Sequence, residues 1–158
     1  MLPVKLKLKR KGMTGRELTR TFREVNAAGM EAMGQEFQRV NLPRRFTYAG
    51  GKMLGYAPRN PRYNQRKKRE LGHVDPLVFS GTSRALATRI RNIQVTSQNK
   101  RTRVRVKFGR ARGLNRRNPN SNIRMNEEVT RMANKEHGPL LRVCRRTIRA
   151  KLARVNRK

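Results

Sequence analysis

The sequence predicts an α+β fold, with a small antiparallel sheet packed against a long N-terminal helix and a C-terminal helix, and with long basic loops. Three observations predict it. Apolar residues recur every three or four positions in two long segments, one starting at Thr14 and one at Pro139. Apolar and polar residues alternate on both sides of the turn sequence SQNKRT, as in a hairpin. Only 35% of the 158 residues are hydrophobic, so the core must be small and extended segments must take the rest of the chain.

The length fits a single domain over residues 1–158, because domains commonly contain about 100 to 200 residues. We expect three extensions from this domain: a basic N-terminal arm or strand over 1–13, a long loop over 44–72 and a basic loop over 109–122. In the first extension, Val4, Leu6 and Leu8 alternate with lysines, which is typical of an edge strand with one apolar face.

The first long helix is predicted to begin at Thr14, which forms a capping box with Glu17. Its apolar stripe runs to Val40, and Pro43 is expected to end it. The charges on this helix balance, with these acidic and basic residues: Glu17, Glu24, Glu31, Glu36, Arg16, Arg20, Arg23 and Arg39. We therefore do not expect its exposed face to meet a polyanion.

Residues 44–72 show little periodicity and contain adjacent glycines, the proline-containing sequence APRNPRY and the basic run RKKR. This pattern predicts a long loop. Loops of such length in compact domains are commonly functional, or become ordered when a partner binds.

The segment HVDPLVFSG, residues 73–81, is the least charged stretch of the chain and contains its only aspartate, Asp75. The following sequence SGTSRALATRI predicts a short helix capped by Ser80 or Thr82. A hairpin is then expected, with Ile93 and Val95 on its first arm. The apolar residues of its second arm are Val104, Val106 and Phe108.

The C-terminal part is predicted to contain two helices after the basic loop 109–122. Asn126 is the expected cap of the first, whose first turn carries Glu127 and Glu128. Pro139 is expected in the first turn of the second. The apolar stripe of this last helix is Leu141, Cys144, Ile148, Leu152 and Val155. The remaining circumference is covered by Arg142, Arg145, Arg146, Arg149 and Arg154.

The charge is the strongest functional signal, because 41 Lys and Arg against 9 Asp and Glu give a formal net charge of +32. Solubility alone requires only about 2 to 8 net charges in a small domain, so we expect contact with a polyanion or an acidic partner. The predicted contact residues are Lys100, Arg101, Arg103, Arg105, Lys107, Arg110, Arg112, Arg116, Arg117, Arg66, Lys67, Lys68 and Arg69. Such contacts would not depend on nucleotide sequence.

Several chemistries find no support in the sequence. Two distant histidines and one cysteine do not form a metal site, and His73 beside Asp75 is more typical of a local hydrogen bond than of catalysis. No glycine spacing matches a phosphate-binding loop. We expect no enzyme activity, no cofactor, no metal and no small-molecule substrate. No segment resembles a membrane span or a signal peptide, so we expect a soluble protein made in the cytosol and no membrane partner.

The sequence YAPRNPRYNQRKKRELGHVDPLVFSGTSRALATRI resembles the middle of the neck and tail-completion proteins of tailed bacteriophages, a group that includes the Mu-type virion morphogenesis proteins. The matching positions are Tyr63, Lys67, Lys68, Pro76, Leu77, Ser80, Gly81 and Arg84. The segment EHGPLLRVCRRTIRAKL is similar to the closing segment of that family.

The resemblance implies a structural virion protein that joins head to tail. It implies an order of elements: a long helix, a basic loop with a tyrosine, a short PL element, a helix starting at the next glycine, strands and a last helix. The loop would be anchored by Pro76, Leu77, Val78, Phe79 and Gly81. The resemblance also implies a homo-oligomeric ring of six or twelve subunits at the head–tail junction, with portal or adaptor proteins, tail proteins and packaged DNA as neighbours.

Two other functions fit some of the same features. Ribosomal-type RNA-binding proteins also combine basic arms with a small core. A nuclease would need a cluster of carboxylates to hold magnesium, and the sequence contains none.

Overall fold

The computed structural model describes residues 12–78, 81–88, 93–98, 101–106 and 124–157. Their elements, in chain order, are α1 (Gly15–Glu36), a π-helical turn (Phe37–Asn41), α2 (Leu42–Arg44), α3 (Tyr48–Met53), α4 (Pro61–Leu71), α5 (Thr82–Ala87), β1 (Ile93–Gln98), β2 (Arg101–Val106), α6 (Met125–Thr130) and α7 (Asn134–Arg157). The predicted α+β class is confirmed: two long helices accompany a two-stranded antiparallel sheet. Residues 1–11 of the predicted N-terminal arm or strand (1–13) and the whole basic loop 109–122 lie outside the described residues.

Helix α1 begins at the predicted capping box. The backbone N–H of Glu17 donates to the Thr14 hydroxyl at 3.3 Å, and the backbone N–H of Thr14 donates to the Glu17 carboxylate at 2.9 Å. The predicted end at Pro43 is wrong, because the chain stays helical to Arg44. The π-helical turn precedes Pro43 and places it in the first turn of α2, where a missing N–H costs no helical hydrogen bond.

Helices α1 and α7 pack against each other along an apolar seam. The seam is formed by Val25, Cys144, Ile148 and Leu152. Gly29 lies in it, and a Cβ atom built at this glycine would lie 2.6 Å from Cγ1 of Ile148. The glycine therefore allows the two helices to approach more closely than any other residue would permit.

The predicted hairpin is confirmed, with Val95 paired to Val104 and Thr96 paired to Arg103 in an antiparallel register. Because side chains alternate along a strand, this register puts the two valines on one face and the polar residues on the other. Both valines are half-buried, and both strands contact α1. The apolar face of the hairpin therefore lies on the first helix.

The segment predicted as a long loop, 44–72, is instead largely helical, with α3 and α4 inside it. Local capping accounts for both helices. The Thr47 hydroxyl accepts from the N–H of Gly50 at 3.1 Å, and the Asn60 side chain accepts from the N–H of Arg62 at 2.9 Å. Gly72 ends α4 with a φ of 71°. The helices are short and mostly polar, so they lack the apolar periodicity on which the prediction depended.

The last helix begins earlier than predicted. Helix α7 starts at Asn134, so Pro139 lies inside it rather than in its first turn. The Glu136 carboxylate accepts from the backbone N–H of Ala133 at 2.9 Å, which stabilises this earlier start. On this helix Leu140, only 1% exposed, occupies the core position expected for Leu141, which is 45% exposed, because Leu140 lies four residues before the buried Cys144.

A second apolar cluster joins the end of α1 to the segments that follow it. It contains Phe37, Leu42, Phe46, Val78, Val129 and Leu140. Met33 of α1 packs against both this cluster and the α1–α7 seam. The two clusters therefore form one continuous apolar layer along α1.

An ion pair between Arg45 and Glu136 is buried beside this second cluster. The guanidinium nitrogens donate to the two carboxylate oxygens at 2.7 and 2.6 Å, and the Arg45 side chain is 0% exposed. The remaining Arg45 donors bond the backbone carbonyls of Asn41, Val129 and Arg131 at 2.9–3.1 Å. Every guanidinium donor thus has an acceptor, which is the condition under which a buried charge is tolerated.

We predict that the stability conferred by Glu136 disappears in acid. Burial alone would raise the pKa of Glu136, but hydrogen bonds from Arg45, Ala133 and Asn41, together with the positive charge of Arg45, outweigh it and hold the pKa below its ordinary value of 4.5. Because the pKa is lower in the folded than in the unfolded state, the stabilisation is complete above about pH 4.5, the ordinary pKa of the group. It is lost as the pH falls through the folded-state pKa.

The measurement is the free energy of unfolding of the wild type and of Glu136→Gln between neutral pH and pH 3. We expect the wild type to have the higher free energy of unfolding at neutral pH, and the difference to shrink below pH 4.5. The reason is that the carboxylate of Glu136 becomes protonated in acid, whereas the glutamine of the variant does not titrate. An advantage that stays constant over the whole range would contradict the prediction.

Candidate polyanion-binding surface

The hairpin displays part of the predicted basic strip. Arg103 and Arg105 are exposed on its polar face, opposite Thr96 and Gln94. Arg101 lies in β2, but its side chain is not among those described. The other members of the strip lie outside the described residues: Lys100, Lys107, Arg110, Arg112, Arg116 and Arg117. The described part of the strip is therefore a pair of arginines that point away from α1.

The predicted run RKKR forms part of helix α4 rather than of a loop. Arg66, Lys68 and Arg69 are exposed, as expected of contact residues. Arg66 also pairs with Glu70 one turn later, at 3.5 Å, with both side chains about half exposed. Exposed ion pairs of this kind contribute only about 0.3–0.5 kcal/mol to stability, so Arg66 can exchange Glu70 for a partner that binds it more strongly.

Lys67 is placed differently from the prediction, because it is 2% exposed and faces the interior. Its ammonium group donates to the backbone carbonyl of Asp75 and lies 5.8 Å from the centre of the Tyr63 ring. Burial lowers the pKa of Lys67, and the nearby Asp75 charge opposes that shift. Lys67 therefore connects α4 to the segment 73–78 and does not belong to the outer surface.

Asp75 connects the segment 73–78 to two helices. Its carboxylate accepts from the backbone N–H of Tyr48 at 2.9 Å, at the start of α3. Its own N–H donates to Nδ1 of His73 at 3.3 Å, which is the local hydrogen bond expected for this pair. The only aspartate of the chain thus links α3, α4 and the segment 73–78.

The predicted anchor residues lie at the inner side of this segment. Pro76 is buried against Gly51, where an added Cβ atom would lie 3.0 Å from the proline ring. Leu77 adopts a φ of 61°, which is unusual for a residue other than glycine, and it packs beside Val78 against the second apolar cluster. Gly81, at a φ of 76°, is the residue from which α5 begins. Phe79 lies outside the described residues.

Helix α7 carries a basic face that the predicted contact set omitted. From Gly138 to Arg157 this helix contains no acidic residue, and its basic residues are Arg142, Arg145, Arg146, Arg149, Lys151, Arg154 and Arg157. Four of them, Arg142, Arg146, Arg149 and Arg157, recur at helical spacing opposite the buried stripe, and all four are exposed. We call these four the α7 arginine face. The absence of acids in this run was the sequence signal for it.

The acidic residues make contacts within the chain, and three of them join segments that are distant in the sequence. Glu136 binds Arg45, and Asp75 binds the start of α3. Glu128 binds the guanidinium of Arg59, with one N–O distance of 3.0 Å and both side chains mostly buried. The carboxylate of Glu128 also accepts from the backbone N–H of Ala57 at 3.3 Å.

The six remaining acids lie on helix surfaces and bond to neighbours within four residues. The contacts are Glu17 with Thr14, Glu24 with Arg20, Glu31 with Gln35, Glu36 with Arg39, Glu70 with Arg66 and Glu127 with Arg124. All 9 acids of the chain belong to the described residues. None of the ion pairs recorded among these described residues involves the α7 arginine face, Arg103 or Arg105.

The described residues contain no group of three or more His, Cys, Asp or Glu residues that could hold a metal ion. None of the helices in the described ranges is both long enough and apolar enough to span a bilayer.

Comparison with protein-family models, with curated proteins and with solved structures finds no match for this chain.

We predict that native Lys67 resists acetylation while Lys68 reacts. The exposed lysines Lys52, Lys68, Lys135 and Lys151 serve as internal controls. Because its pKa is lowered, the Lys67 amine would react faster than an ordinary lysine if the reagent could reach it. Low labelling of Lys67 would therefore show that the side chain is buried. Mass spectrometry of peptides from the native and the unfolded protein measures this, and equal labelling of Lys67 and Lys68 in the native state would refute the assignment.

Proposed function

We propose that this chain is a structural protein of a tailed-bacteriophage virion, acting as a neck, connector or tail-completion subunit. In this role it forms a homo-oligomeric ring at the head–tail junction, and its basic surfaces contact acidic neighbours or DNA. The portal or adaptor and the tail proteins are the proposed protein partners.

The arrangement of charge is the observation that carries the proposal. Each acid has a partner within the chain, whereas Arg103, Arg105 and the α7 arginine face are exposed without an acidic neighbour in the described part. A free subunit with a net charge of +32 repels itself strongly. A subunit that works inside an assembly is relieved of that repulsion by acidic surfaces or phosphates around it.

The order of elements also supports the proposal, because it agrees with the order that the resemblance implies. A long helix α1 comes first, and the tyrosine and basic residues follow, although on helix α4 instead of a loop. The tight turn at Pro76 and Leu77 comes next, then α5 starting from Gly81, the hairpin and α7.

We propose a mechanism that is mechanical and electrostatic, without a chemical reaction. The carboxylates of Glu128 and Glu136 are each bound by a guanidinium group, and that of Asp75 by a backbone N–H. Carboxylates held in this way stabilise the fold. The apolar layer along α1 supplies the rigid body, and the basic faces fix it to its neighbours.

We predict that the full chain forms symmetric rings once its self-repulsion is screened. The protein is first freed of nucleic acid in high salt, and its size is then followed by sedimentation velocity and negative-stain microscopy as salt is varied. The Debye length shrinks to about 3 Å at 1 M salt, so the ring fraction should rise with salt.

Nucleic-acid binding has the opposite salt dependence from the one expected for ring formation, because it weakens as the salt concentration rises. Rings with a uniform subunit number would support the proposal. Monomers at every salt and protein concentration would contradict the proposal. Monomers that retain RNA through the high-salt wash would favour the ribosomal-type alternative instead.

A further inference from the structure

The α7 arginine face has the dimensions of a phosphate-binding track. Arg142 and Arg157 are fifteen residues apart, which corresponds to about 22 Å along a helix at 1.5 Å per residue. One strand of duplex DNA places a phosphate about every 3.4 Å along its axis, so the face spans roughly six phosphate steps. Arg146 and Arg149 lie between the ends on the same side of the helix.

The composition of the face favours nucleic acid over an acidic protein. Protein interfaces have an apolar, often aromatic centre surrounded by a polar rim. Between the arginines of this face lie the exposed alanines Ala150 and Ala153, and the only large apolar residue that α7 exposes is Leu141, near its start. A row of arginines without an apolar centre can bind by charge and hydrogen bonding, which suits phosphates.

The same face favours a duplex over a single strand. Proteins that bind single strands stack the bases on aromatic side chains, and α7 contains no Phe, Tyr or Trp. Arginines that recur on one side of a helix, four, seven and fifteen residues after the first, can follow a stiff backbone, but they offer no platform for unstacked bases. Contacts to phosphate alone would be independent of base sequence.

We propose that the α7 arginine face binds the phosphodiester backbone of duplex nucleic acid without reading its sequence. The proposal rests on the proposed function, because it identifies which molecule neutralises this part of the surplus charge. It also assigns the opposite sides of α7 separate tasks: the stripe with Ile148 and Leu152 packs on α1, and the arginine face meets the duplex.

The test measures binding of short duplex DNA to the full chain by fluorescence anisotropy between about 50 and 200 mM salt. The test variant is Arg142→Gln with Arg146→Gln and Arg149→Gln. The control variant is Arg16→Gln with Arg20→Gln and Arg23→Gln, which removes the same charge from exposed positions of α1. Circular dichroism and a thermal melt check that both variants keep the fold.

We expect weaker binding by the test variant and a salt slope that is shallower by roughly 2 to 3, since each lost phosphate contact removes about 0.9 from the slope. The control variant should keep a slope close to that of the wild type. Replacing the three α7 arginines by lysine should preserve the slope and still weaken binding, because lysine keeps the charge but loses the forked hydrogen bonds. A duplex of scrambled sequence should bind equally well.

The same variants are also titrated with poly-L-glutamate. Four results would overturn the proposal: equal losses of DNA binding in the test and control variants, no loss in either, an unchanged slope in the glutamine variant, or loss of poly-L-glutamate binding by the test variant while its DNA binding stays intact. The last would identify an acidic protein as the occupant. Ring formation is measured separately without nucleic acid, so a chain that makes no rings refutes the assembly role while leaving this test interpretable.

Discussion

The ion pair between Arg45 and Glu136 is the interaction on which the rest of the structure depends. It joins the end of the first helical segment to the C-terminal end of α6, through the carbonyls of Val129 and Arg131, and to the first turn of α7. The guanidinium also stacks over the Phe37 ring at 4.7 Å, so the polar pair continues the apolar cluster around it. Segments separated by about ninety positions in the sequence are thereby fixed in one orientation. A buried pair of this kind stabilises the fold only because all of its hydrogen bonds are made.

The same arrangement has a consequence for the surface. A chain with only 9 acids places three of them, Asp75, Glu128 and Glu136, at internal junctions, and uses the others in short contacts along helices. The exposed arginines of α7 and of the hairpin therefore lack acidic neighbours in the described part of the chain. Internal stability and external charge are linked, since an acid that holds two segments together cannot also neutralise a surface. This link supports an assembly role in which another molecule supplies the missing charge.

Much of the architecture could be predicted from the sequence because it is encoded locally. The capping box at Thr14, the long apolar period after it and the alternation around SQNKRT each specify an element without reference to distant residues. Helices α3 and α4 escaped prediction because their turns are polar and depend on caps and on Asp75. The interior position of Lys67 depends on a carbonyl eight residues away, and no local pattern reports such a contact. The start of α7 was misplaced because Pro139 is a strong local signal, whereas the contacts of Glu136 with Asn41 and Arg45 are distant ones.

The most direct test of the central ion pair is a double-mutant cycle measured by chemical denaturation at neutral pH. The variants are Arg45→Met, Glu136→Leu and the two combined. Each single change leaves a buried charge unpaired, so we expect each to cost about 3–5 kcal/mol. The loss of unfolding free energy in the combined variant should be smaller than the sum of the two single losses by about 2–3 kcal/mol, because neither charge then remains in the interior. Losses that simply add would show that the two residues act independently and would contradict the central role of the pair.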